Sequence, residues 1–428
     1  MFWCLLQDIC RNKFKAGGVH GSTFTLISSI LGSGTVTLPY LSAQNGVVLA
    51  TILIIFGAAI SYFAGMFLVR WAEKVGSDKY EDFANYWHGR KAVIFAGFSN
   101  VSTLLGFVIN YIVFMKILIP QILILCLGAD NVPEYLGKDK WKGGLVWASI
   151  YSFAVLLPLW IPRKINMLRY NSLLGVLCTL YLVLWLMILF FVDRSLVPSI
   201  KDNFNDASYF KVTYQGMTYS VPYIVFAFMY QPNVPMVYRE LINRNYKVMA
   251  KVVIRGSGAV VFIYIIAWIF GYLCLVNQPE LLNTLNAKSN ILEVDYGNWA
   301  FNIAVMALVF AIFAAAPIAF LPTKDTIEEL FYSENGMSNK QNIVATVIMV
   351  IFWYIWAIVV PGIGDIITIL GFTTNPLIGF IFPCYFYIKI VPEAPFYKKV
   401  LAWAILLFTS AVSIMVWVLF IQDKINGK

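Results

Sequence analysis

The strongest constraint on this chain is a recurrence. Apolar windows of about twenty residues, each long enough to cross a ~30 Å hydrocarbon core, follow one another from residue 20 to residue 421 with short polar joints between them. Eleven such spans are expected, near 20–43, 47–71, 92–120, 144–161, 170–193, 214–241, 252–276, 299–322, 342–361, 364–390 and 399–421. Backbone in hydrocarbon has no water to bond, and a helix satisfies its own N–H and C=O groups. The fold class that follows is an all-α polytopic membrane protein with eleven transmembrane helices. With 60% hydrophobic and 12% charged residues, no water-soluble surface can be assembled. The partner is therefore the lipid bilayer, not nucleic acid, because the net charge of +9 is distributed over alternate joints.

Those joints set the orientation. With the N-terminus on the cytoplasmic (or matrix) side, 21 Lys and Arg fall inside and nine outside, Lys116 lying within the third span. An odd number of spans places the C-terminus opposite. Which membrane is meant is not written in the sequence. Residues 1–15 are too short and too charged for a cleaved signal and read as an amphipathic lead-in. Short interfacial helices are expected at 80–89 and 323–332.

Two spans cannot be regular helices. In the first, Ser28-Ser29-Ile30-Leu31-Gly32-Ser33-Gly34-Thr35 puts poor helix formers and hydroxyls at the middle of an apolar run. A seam of small residues for close helix packing is one explanation; a ligand that satisfies the opened backbone is the other. In the sixth, Gln231-Pro232-Asn233-Val234-Pro235 removes two ladder N–H groups and adds two amides. Breaks in the first and sixth spans point to a substrate site between two inverted repeats of five helices. The organisation expected is a lead-in over 1–19, a first repeat over 20–193, an outside loop over 194–213, a second, inverted repeat over 214–390, an eleventh helix over 399–421 and a tail over 422–428.

The same residues carry a resemblance. Gly32-Ser33-Gly34-Thr35-Val36-Thr37-Leu38-Pro39-Tyr40 is similar to the first-helix signature of the amino acid/auxin permease family. Pro317 to Asp325 looks like that family's eighth helix, and Gly362 to Asp365, Leu370-Gly371-Phe372 and Asn375-Pro376-Leu377 resemble its tenth. The resemblance implies an eleven-span amino acid transporter of the leucine-transporter type, driven by protons or sodium. Sodium-using members tend to carry Asn where this chain has Ser28, and the stretch 311–316 offers no side-chain oxygen, so the resemblance favours a proton, or no ion, over sodium. The interior is poor in ionisable groups. His20 reads as an interface residue, Lys116 as a snorkelling side chain and Asp365 as a helix cap.

A bound amino acid would set its carboxylate on the N–H groups of Ser33, Gly34 and Thr35, where the second half-helix begins and its dipole is positive. Its ammonium would face carbonyls of Ser28 to Leu31, beside Gly32, and of Phe228 to Gln231. Asn110, Tyr111, Tyr230, Gln231 and Asn233 are the candidate side-chain contacts. The function expected is alternating-access transport of a neutral amino acid. No catalytic constellation, metal site or cofactor motif is present, so an enzyme is not expected. The alternative is a transporter fold kept as an accessory subunit beside other membrane proteins, its transport reduced or lost. The six cysteines lack metal spacing, and only Cys126 and Cys274 could meet at one end of the bundle.

Overall fold

The computed structural model describes residues 17–32, 34–76, 82, 89–137, 141–161, 168–297, 299–332, 337–360 and 362–425, and all regular elements among them are helical. The first span is two helices, Val19–Ile30 (α1a) and Gly34–Asn45 (α1b), bent by 60°. Then come Val47–Val75 (α2), Arg90–Leu127 (α3), Lys142–Trp160 (α4) and Leu168–Val192 (α5). Tyr214–Ala227 (α6a) and Asn233–Glu240 (α6b) form the sixth. Tyr246–Leu273 (α7), Trp299–Tyr332 (α8), Asn339–Val359 (α9), Ile363–Phe372 (α10a), Thr374–Ile390 (α10b) and Phe396–Ile425 (α11) complete the bundle.

Among the described residues, seven helices are long and apolar enough to cross a membrane, and the bent pairs α1 and α10 bring the number to nine. The two remaining expected spans fall short for visible reasons. A break divides α6 into 14 and 8 residues, and the described apolar part of α8 ends at Ala311. Eleven is thus the sequence's count rather than one that helix length fixes. The lead-in and most of 80–89 lie outside the described residues. No separate interfacial helix stands at 323–332, because α8 runs on through Tyr332 with Thr323 and Lys324 buried. The helix α11 likewise continues past residue 421 to Ile425.

Large apolar side chains cover the outside: Phe98, Phe262, Ile348 and Leu407 are each at least 60% exposed. Hydrocarbon is the solvent for which such a surface costs nothing. Inside, Trp71, Trp160, Trp268 and Trp353 are fully buried, and the edge of Trp160 meets Trp353 at 5.0 Å between ring centroids. Packing is paired. The helix α7 lies along both halves of α1, as α2 lies along both halves of α6; α3 packs on α10, as α8 packs on α5. Exchanging spans 1 with 6, 2 with 7, 3 with 8 and 5 with 10 carries these contacts into one another.

Two lysines repeat that exchange. Lys116 Nζ of α3 donates to the carbonyls of Ala357 and Val360 at 2.8 and 2.7 Å, closing the C-terminus of α9. Lys324 Nζ of α8 donates to Trp160 O at 2.8 Å, closing the C-terminus of α4. Free carbonyls and the negative dipole end of a helix hold a buried ammonium in low dielectric. Lys116, read from sequence as a snorkelling side chain, is half-buried and reaches the end of α9, whereas Lys324, counted from sequence among the inside charges, is 3% exposed. Asp365 is not a cap: Gly362 holds that position, and Asp365 stands in the first turn of α10a. Cys126 and Cys274 are free thiols, one exposed and one buried.

Candidate functional site

The break in α1 begins where Leu31 turns extended (ψ 115°) while its N–H still donates to Ile27 O. Ile30 and Leu31 are buried, yet Gly32 beside them is exposed, and a Cβ placed on Gly32 would meet no atom within 4 Å. The chain therefore opens onto free space there. Ser33 lies outside the described residues. Gly34 is the opposite case: its Cβ would stand 3.0 Å from both Cα and Cβ of Ala227, so α1b and α6a approach at backbone distance. Packing seam and open backbone, alternatives in the sequence, sit two residues apart. Thr35 N–H, expected to be free, donates to Gly32 O at 3.1 Å. The other N–H groups of the first turn have no intrahelical acceptor by geometry.

In α6 the break is tighter. Met229 N–H donates to Phe226 O, Tyr230 N–H to Phe228 O at 3.0 Å, Asn233 N–H to Tyr230 O at 3.0 Å and Val234 N–H to Gln231 O at 3.1 Å. The carbonyls expected to face an ammonium are mostly engaged within the turn, each keeping a second lone pair. One hydroxyl joins the two breaks. Tyr264 of α7, fully buried, donates toward Ile30 O at 2.9 Å and Ala227 O at 3.2 Å, the last carbonyls of α1a and α6a. Sequence reasoning passed over Tyr264; the available signal was a phenol that must find a partner inside an otherwise apolar helix.

The remaining expected residues divide. Ser28 is half-buried, its hydroxyl donating to Thr25 O at 2.8 Å. Thr35 is 2% exposed, with its hydroxyl beside the Tyr264 phenol. On α3, Asn110 is buried and Tyr111 half-buried. Tyr230 is fully buried, but its ring lies against Gly65 of α2 and its hydroxyl beside Ser257 of α7, on the flank of the break. Gln231 is fully buried and its amide lies near Gly379 of α10b. Asn233 opens α6b. Side chains at 312–316, expected to lack oxygens, lie outside the described set.

The two ends of the bundle are held by different chemistry. At one, the rings of Tyr40 (α1b) and Tyr223 (α6a) meet at 5.4 Å, and Tyr223 OH reaches Gly364 O of α10a at 3.5 Å. At the other, Tyr238 OH of α6b donates to Glu73 Oε1 at 3.0 Å, Arg70 pairs with Glu73 at 2.9 Å and lies 3.9 Å over the Tyr246 ring. Nearby, in the turn between α10b and α11, Glu393 is held below the ordinary carboxylate range by a backbone hydrogen bond and by Lys74, which it meets at 3.0 Å. None of these pairs was singled out in the sequence; apart from Arg70–Glu73, one turn apart on α2, each joins residues far apart along the chain.

Comparison with known proteins adds the following. The model of the family described as "Transmembrane amino acid transporter protein" matches residues 15–423. Sodium-coupled neutral amino acid symporter 2 of Danio rerio is 25% identical over 395 residues, covering 87% of this chain and 75% of that protein. Among solved structures, MhsT in complex with L-phenylalanine matches with a TM-score of 0.59 at 14% identity, over 93% of this chain and 97% of that one. A manganese transporter of Eremococcus coleocola matches with a TM-score of 0.53 at 13% identity, over 92% and 85%. At these identities the solved structures speak for a common fold alone.

Proposed function

Because the chain belongs to the transmembrane amino acid transporter family, whose members are transporters and not enzymes, we propose that it carries neutral amino acids across a membrane by alternating access. The observation that carries this reading is the pair of breaks joined at Tyr264, with open space beside Gly32. In it, the substrate carboxylate meets the N–H groups at the start of α1b, at the positive end of that half-helix. The ammonium faces the last carbonyls of α1a and the second lone pairs of the α6 break. Ser28, Gly32, Ser33, Gly34, Thr35, Asn110, Tyr111, Gln231 and Asn233 surround it, Tyr230 supporting the break from behind. Two symmetric sets of contacts, α7 on α1 and α2 on α6, suit a rocking of one half against the other.

The ion in this reading is the proton, because a serine stands at position 28, where the resemblance puts Asn in sodium-using members, and the stretch 311–316 offers no side-chain oxygen. A sodium reading has its own support, since the Danio rerio relative bears the name of a sodium-coupled neutral amino acid symporter. Uptake of L-alanine into proteoliposomes decides both matters. Accumulation is expected under an imposed pH gradient without sodium; accumulation only under a sodium gradient would reassign the ion. Failure to accumulate any proteinogenic amino acid under either gradient would remove the transport reading altogether.

A further inference from the structure

Three fully buried polar side chains with no hydrogen-bond partner among the described residues stand where α3, α6 and α10 meet. Gln231, at 0% exposure, has neither Oε1 nor Nε2 bonded; Asn375, at 0%, has neither Oδ1 nor Nδ2 bonded; Thr103, at 1%, has its hydroxyl unbonded. Gln231 Oε1 lies 3.4 Å from where a Cβ on Gly379 would be. Asn375 precedes Gly379 by four residues, on the adjacent turn of α10b, and the turn that carries it packs on α3 and α6a. Phe107, one turn beyond Thr103 on α3, places its ring 5.4 Å from Phe226 at the end of α6a and packs against the apolar cluster that includes Met229 and Ile378. The three groups thus come from the break of α6, the break of α10 and the α3 face turned toward both.

A buried polar group without a partner is costly, and native interiors satisfy nearly all of them. Two carboxamides left open at the joints of two broken helices call for a partner that arrives from outside. Each carboxamide offers donors and acceptors and no charge. Their match is a neutral group that both donates and accepts; an ionised side chain would be desolvated without a counter-charge.

We propose that Gln231 and Asn375, with Thr103, form a side-chain subsite that selects neutral amino acids bearing a hydroxyl or carboxamide. This rests on the paired breaks being the amino acid site, and it adds a substrate class to that reading. A site built to bond a polar substrate group rejects analogues that lack it, because its own groups are then left unpaired.

The test is uptake of L-asparagine, L-serine and L-alanine by proteoliposomes holding the full chain, its Asn375→Leu variant and its Gln231→Met variant. These shapes are nearly conserved, and replacing an unpaired polar group by an apolar one keeps the fold. The ratio of kcat/KM for L-asparagine over L-alanine is expected to fall about tenfold in each variant. An equal loss for all three substrates, or a ratio changed by less than about twofold, overturns the subsite and leaves the groups to ordered water. If the full chain moves nothing, the transport reading has failed separately. Thermal stabilisation by L-asparagine then reads the subsite: a rise in Tm lost in Asn375→Leu supports it, and no rise in the full chain overturns it.

Discussion

At the α1 break the chain lies open beside Gly32, whereas at the α6 break the carbonyls of Phe228, Tyr230 and Gln231 are taken by N–H groups two or three residues on. Residue type explains the difference. Gly32 and Gly34 let the backbone turn without side chains, so one faces free space and the other admits Ala227 at contact distance. In α6, Pro232 and Pro235 end the ladder but pre-set φ for the next helix, and Pro232 (φ −59°) is poised as the N-cap of α6b. In the transport reading proposed above, the first break would therefore present backbone to the substrate, and the second side chains, above all Gln231. Main-chain recognition at one break and side-chain recognition at the other would then follow from glycine against proline.

The largest effect expected from breaking this contrast is at Gly34. A leucine there drives its side chain into Ala227, where even a Cβ stands at 3.0 Å. Overpacking of that kind costs roughly 1–3 kcal/mol and shifts backbone. Gly34→Leu should abolish L-alanine uptake and lower Tm together, since packing and site share this residue. Uptake at the normal rate would separate the seam from the site.

Tyr264→Phe comes next, because it cuts the one bond common to both breaks. Ile30 O and Ala227 O lose their donor inside the bundle. An unsatisfied buried partner costs about 1–3 kcal/mol. Uptake is expected to drop by roughly tenfold, with a Tm below that of the parent, measured side by side in detergent and in proteoliposomes. Unchanged uptake with a lowered Tm would make the phenol a packing group and leave the two breaks independent.

How much of this the sequence disclosed depends on whether a feature is local. Both breaks were legible because glycine and proline act on their own backbone, and the order of spans because hydrophobic length does. Partners were not legible. Lys116 showed a charge in an apolar run, but the carbonyls it closes lie 241 and 244 residues further on. Tyr264 looked like one aromatic among many until the fold brought Ile30 and Ala227 to it. The same limit applies to the carbonyls of α6, judged free because a proline breaks the regular ladder, and then found engaged in tighter turns. Gln231 was named correctly as a polar group at the break, while Asn375, read only as part of a family motif, acquired its meaning from Gly379 beside Gln231.

The smallest expected change tests the open side alone. Gly32 does not have a positive φ, and a Cβ there meets nothing within 4 Å, so Gly32→Ala strains neither backbone nor packing. Restricting the unfolded chain should leave stability equal or raise it by about 0.4–1 kcal/mol. If that free space is substrate volume, one methyl group placed in it costs binding on the order of 1–3 kcal/mol, and KM for L-alanine rises while Tm does not fall. A variant with both quantities unchanged would mean that the opening at Gly32 faces away from the substrate. The two breaks would then differ only in how they pack, and recognition of the main chain would have to be sought among the remaining N–H groups of α1b.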